Sequence, residues 1–211
     1  SDENNFNMEG IMEERIKGIM EDAKRFYDEG VRRTENARQR MLGTHTYGLS
    51  EDDLAMCRYI IKKVHSTSTE SVVNYLFPDE EKREKIWTAI DSIYRKGTRI
   101  DLFYGEFFVV LSNPNSHNYH IGGTYLIGGY GCSEGERSGK GVDITGERGN
   151  SLPATPGSLR PATNEEIAMY TAKRFSNSFD SILSKDSRDN KVPGKDHFAE
   201  LANMITGGKN E

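Results

Sequence analysis

The sequence predicts an α+β protein with a helical N-terminal half, a short antiparallel sheet and a C-terminal helix. Three observations carry that expectation. Apolar residues recur at helical spacing over 8–42, 51–96 and 163–183, and strand-like runs fall only between 99 and 127. The glycines are concentrated, 11 of the 21 lying between Gly122 and Gly157. With 211 residues, 35% hydrophobic content and a mean hydropathy of −0.72, the chain supports one modest core.

Taken in order, Met12, Ile16, Ile19, Ala23 and Phe26 form an apolar stripe on one helix or two over 8–42. Ser50, three residues before Asp53, outlines a capping box that opens a helix through Leu54, Cys57, Ile61 and Val64. A polar turn at 66–70 leads to a short helix through Val73 and Leu76. The next helix, over 79–96, buries Ile86, Ile90 and Ile93 and stops at Gly97. Residues 99–104 alternate as a strand, Gly105 and Glu106 supply a hairpin turn, and strands are expected at 107–111 and 124–127. From Gly128 to about Pro161 apolar periodicity fades into a long loop. A second capping signal at 161–166 opens a helix through Ala168, Ala172, Phe175, Phe179 and Ile182, and a last helix carries Phe198, Leu201, Ala202 and Ile205. The chain thus divides into an N-terminal amphipathic helical segment (1–43), helices plus hairpin and sheet (44–127), a Gly-rich loop (128–161) and C-terminal helices (162–211).

Composition narrows the function. No stretch approaches the roughly 18–20 apolar residues of a membrane span, and the N-terminus lacks the basic start and apolar run of a signal peptide. Two cysteines are too few for a disulfide scaffold, so a reducing, cytoplasmic setting is expected. A net charge of −5 supplies no field for nucleic acid or an anionic membrane.

Several patterns could carry chemistry, and their surroundings decide among them. Gly131, Cys132, Ser133, Glu134 and Gly135 match the nucleophile elbow of a serine hydrolase, with Asp180 or Asp189 and His197 following in the expected order. The elbow needs a helix directly afterwards, and Glu136 to Gly141 is a poor helix start. A phosphate loop at Gly139 and Lys140 would need glycine at 134 and Ser or Thr at 141, where Glu134 and Gly141 stand. His117, His120 and Cys132 offer three metal ligands at a spacing that matches no finger or knuckle. The order of helices over 51–96 followed by a hairpin permits a winged-helix-like element over 51–112. Its recognition helix would set Lys82, Arg83 and Lys85 among Asp79, Glu80, Glu81 and Glu84, which repel phosphate.

Gly157 to Glu166 is similar to a short stretch near the C-terminal part of flexuous plant-virus coat proteins. The aromatic-rich segment that such proteins carry just upstream is missing here, and no membership is assigned on these ten residues.

The expectation is therefore a non-catalytic macromolecular binding or assembly protein that self-associates or binds another protein. Its contact residues would be Met12, Ile16, Ile19 and Phe26 on the N-terminal helix and Arg137, Lys140 and Arg148 in the Gly-rich loop. No cofactor, metal or catalytic residue is assigned, nucleic acid is not favoured, and no membrane is expected. The alternatives are a serine hydrolase using Ser133 and a winged-helix DNA-binding protein.

Overall fold

The computed structural model describes residues 2–64, 68–95, 100–112, 119–128, 155–183 and 195–208. The N-terminal segment is a single helix, α1 (Asp2–Leu42), which at 1.5 Å per residue runs roughly 60 Å. Three helices follow, α2 (Glu51–Lys63), α3 (Ser68–Leu76) and α4 (Glu80–Arg95). Three short strands, β1 (Phe107–Val110), β2 (Thr124–Leu126) and β3 (Leu159–Pro161), form an antiparallel sheet in the order β2-β1-β3. Helices α5 (Asn164–Leu183) and α6 (Lys195–Thr206) complete an α+β fold. None of the described helices is long and apolar enough to cross a membrane.

The caps act as their residue types require. Ser50 accepts a hydrogen bond from the Asp53 N–H at 3.2 Å, satisfying one of the unpaired donors at the start of α2. Asp79 does the same for the Lys82 N–H in α4. At α5 the capping box is reciprocal: the Glu166 N–H donates to Thr163 Oγ1 at 3.2 Å, and the Thr163 N–H donates to Glu166 Oε1 at 2.9 Å. Burial would raise the Glu166 carboxyl, but Arg160 and the Thr163 N–H hold it below its usual value. Thr163→Ala should therefore cost about 1 kcal/mol in denaturant unfolding at pH 7. A depressed carboxyl stabilises the fold fully above its unfolded value of 4.5, and that contribution fades as pH falls through the folded value. The stability gap between the wild type and Glu166→Gln should accordingly narrow between pH 6 and pH 3.

Packing divides into a helical unit and a sheet-centred body. Leu54, Cys57 and Ile60 of α2, Val73 and Phe77, and Ile86, Ala89 and Ile90 of α4 enclose a core of their own. Alternate residues of β1 then face two further cores. Phe107 and Val109 meet Phe26, Tyr27 and Val31 of α1 and Ile167 and Tyr170 of α5. Phe108 and Val110 meet Ile100, Tyr119, Tyr125, Ile127 and Leu159 on the opposite face. Along its first half α1 lays Ile16, Ile19 and Ala23 against Ala168, Ala172 and Phe179 of α5 and Leu201 and Ile205 of α6.

Two local expectations change. Residues 100–104 form no strand, so the hairpin that would have served as the wing of a winged helix is not made. Phe103 to Glu106 instead close a tight turn, with the Glu106 N–H donating to the Phe103 carbonyl, and β1 pairs with β2 and β3. The cause is Glu106, whose carboxylate turns inward to α1 and also accepts the Phe103 N–H at 2.8 Å. The second change is β3, which lies within the span expected as loop. It is an edge strand ending in Pro161, where a missing N–H donor is tolerated.

Candidate functional site

The turn at Phe103–Glu106 is bound to the C-terminal third of α1. Gly105 has a φ of 84°, a conformation that favours glycine, and a Cβ there would also strike Arg33 Cδ at 2.5 Å. Arg33 donates to the Tyr104 carbonyl at 2.9 Å and to Glu29 at 2.7 Å. One helical stretch further on, Arg40 makes a two-pronged pair with Glu106 at 2.6 and 2.7 Å, nearly withdrawn from solvent. The Arg40 guanidinium also lies 4.2 Å from the centroid of the Phe103 ring. Burial pushes the Glu106 carboxyl upward, and the Arg40 charge and the Phe103 N–H oppose it.

Between α1 and the sheet, Gly30 permits close approach. A Cβ on it would fall 2.6 Å from Phe107 Cε2. The rings gathered beside it meet mostly edge to face: Phe26 to Phe107 at 6.0 Å, Phe26 to Phe175 at 5.7 Å and Phe107 to Tyr170 at 4.9 Å. Phe26, Phe107 and Phe175 floor an open cleft of about 430 Å³ together with Leu126 and Ile127. Its rim carries Asp22, Arg25, Glu29, Arg33 and Tyr104, and Arg174 stacks 4.8 Å from the centroid of the Phe26 ring. The cleft thus combines a concave apolar floor with a charged rim.

A second cleft, of about 610 Å³, lies between the later turns of α1 and α4. Arg32, Arg33, Arg40 and Lys85 share it with Glu81, Glu84 and Glu106, so opposite charges alternate along its walls. On α4, Lys82 is paired with Asp53 of α2 at 2.8 Å, which removes one of the three bases of the considered recognition helix from free contact with phosphate. The mixture supplies no single-sign field of the kind that draws a nucleic-acid backbone.

The expected contact residues are placed unequally. Phe26 lines the apolar cleft. Ile16 and Ile19 pack against this chain's own α5 and α6, while Met12 is half-buried. Arg137, Lys140 and Arg148 lie outside the described residues, as do Ser133, Cys132, His117 and Asp189. His197 is within 3.7 Å of Asp180, and its Nε2 has no hydrogen-bond partner among the described residues. Cys57 is buried in the helical unit, its thiol pushed up to about 11 by burial and the nearby Asp53, which keeps it protonated and unreactive. Among the described residues no group of three or more His, Cys, Asp or Glu is arranged to hold a metal ion. The sequence pattern places Phe175 on a helical stripe and Phe107 and Leu126 in strands but gives none of them, nor Arg25 or Arg33, a role in a site. The available signal was Gly30, an interior helical glycine that a close helix-to-sheet approach explains.

No protein-family model, curated protein or solved structure matches the chain. The residues that resemble flexuous coat proteins, Gly157 to Glu166, form β3 and the cap of α5, a structural role that any chain with this local fold would ask of them.

Proposed function

We propose that this is a non-catalytic binding and assembly protein whose docking site is the apolar cleft between α1 and the sheet. The observation that carries this reading is the cleft itself: the rings of Phe26, Phe107 and Phe175 converge on a 430 Å³ opening within a rim of charge. An apolar or aromatic side chain of a partner protein entering there is withdrawn from water on several sides, worth roughly 1.5–3 kcal/mol if fully buried. Arg25 and Arg33 at the rim favour a partner that presents carboxylates around that side chain. The free thiol of Cys57 suits a reducing, cytoplasmic setting.

The test is to titrate N-acetyl-phenylalaninamide into isotopically labelled protein and follow the methyl resonances. Weak binding, with Kd on the order of 1 mM, should shift Leu126 and Ile127 while the Ile60, Ile86 and Ile90 methyls of the helical unit stay still. Unmoved Leu126 and Ile127 signals up to the solubility limit would remove the cleft as a docking site.

A further inference from the structure

We propose that the cleft receives a second copy of this chain, entering by the turns of α1 that precede Arg15, so that copies join head to tail. The inference rests on the docking function above and names its partner. Met8, Met12, Ile16, Ile19 and Ala23 continue one helical stripe at spacings of four, four, three and four. From Ile16 onward α5 and α6 cover it, but Met8 is 50% exposed and its neighbour on the same face, Ile11, 52%. The turns before Arg15 therefore present an apolar face that the described residues leave largely open.

The same molecule cannot bring that face to its own cleft. α1 is one continuous helix, and Met8 lies roughly 20 Å along its axis from Asp22, where the cleft begins. Charge points to the same pairing. Before Arg15 the sequence has Asp2, Glu3, Glu9, Glu13 and Glu14 and no basic residue. At the cleft Asp22 is already paired with Arg25 and Glu29 with Arg33, and Arg174 adds a further guanidinium beside Phe26. An acidic helix with apolar knobs thus meets an apolar cleft with a cationic surplus. Knob and cleft are different patches, so each bound pair keeps one free knob and one free cleft, and the contact propagates into a ring or a filament.

Two full-length double variants separate the two patches without touching a buried contact. Met8→Glu with Ile11→Glu alters the knob, and Arg25→Glu with Tyr104→Glu alters the rim, where the Arg25 side chain is 75% exposed and Tyr104 63%. Light scattering at rising concentration should show wild-type mass growing past the dimer, and each variant alone should associate about tenfold or more weakly. Circular dichroism and unfolding midpoints should match the wild type. The decisive sample is an equimolar mixture of the two variants, in which one intact knob meets one intact cleft. It should form dimers and stop there. A wild type that stays monomeric, variants that assemble as well as the wild type, or a mixture that stays monomeric while the wild type assembles would each overturn the proposal. If the wild type is monomeric while N-acetyl-phenylalaninamide still shifts Leu126 and Ile127, docking survives and self-association falls; silence in both experiments removes both.

Discussion

Arg40→Ala should destabilise the protein by about 3–5 kcal/mol, because it strands the Glu106 carboxylate, only 2% exposed, without its counter-charge. The loss is large for a fold whose total stability is expected to be roughly 5–15 kcal/mol. It arises from the burial of Glu106 more than from any attraction of the pair, since the attraction largely offsets what both ions give up on leaving water. Two companion variants separate these contributions. Glu106→Gln keeps a polar group for the Phe103 N–H and lifts the charge, leaving Arg40 near-buried and half-satisfied, so an intermediate loss is expected. Replacing both partners together, Arg40→Met with Glu106→Leu, should cost less than Arg40→Ala alone. Arg40→Lys should not restore the wild type, because a single ammonium cannot reproduce the two parallel hydrogen bonds at 2.6 and 2.7 Å. Guanidinium unfolding of the four variants measures all of this. An Arg40→Ala loss below about 1 kcal/mol would place the pair among solvent-exposed bridges instead.

That pair also explains why part of the fold was not legible in the sequence. Local signals worked where the determinant is local. Ser50 and Thr163 with Glu166 mark helix starts by chemistry that acts over three residues, and both caps form. The stripes of α2, α4 and α5 bury Leu54, Cys57, Ile86, Ile90, Ala168, Ala172 and Phe179 as their spacing selects. Ile61, Val64, Ile93 and Phe175 are only partly covered, whereas Ile60, outside the selected spacing, is fully buried. The segment from Ile100 to Tyr104 alternates as a strand should, yet whether it pairs depends on where Glu106 points. That is decided by Arg40, on an element that precedes it by a whole helical unit. Leu159 to Pro161 has the opposite problem: three residues ending in a proline carry no periodicity, and they are a strand only because Phe108, Val109 and Val110 offer an edge. Phe26 was legible as an apolar helix residue, but the stripe could not say that its ring would border an open cleft. Closure of that cleft depends on the sheet, through Phe107 and Leu126, and on α5, through Phe175.

Phe107→Ala should cost about 3–5 kcal/mol, the loss expected for removing a buried phenyl ring from a packed core. Phe107 is 1% exposed and touches Phe26 and Tyr170 edge-on, so its removal leaves a cavity that rigid neighbours cannot fill. The more discriminating measurement couples it to Gly30. Gly30→Ala should by itself destabilise by about 1–3 kcal/mol: the gain in helix propensity, about 1 kcal/mol, is outweighed by a methyl group forced to 2.6 Å from Phe107 Cε2. In a Phe107→Ala background the ring is gone, and the new methyl enters the space it left. Gly30→Ala should then become neutral or stabilising, a coupling of roughly 1–3 kcal/mol between two positions that a simple sum would treat as independent. Denaturant unfolding of the wild type, both single variants and the double variant measures that coupling directly. An unchanged cost of Gly30→Ala in both backgrounds would mean that α1 does not approach β1 this closely. The floor of the cleft, which is built on that approach, would then have to be redrawn.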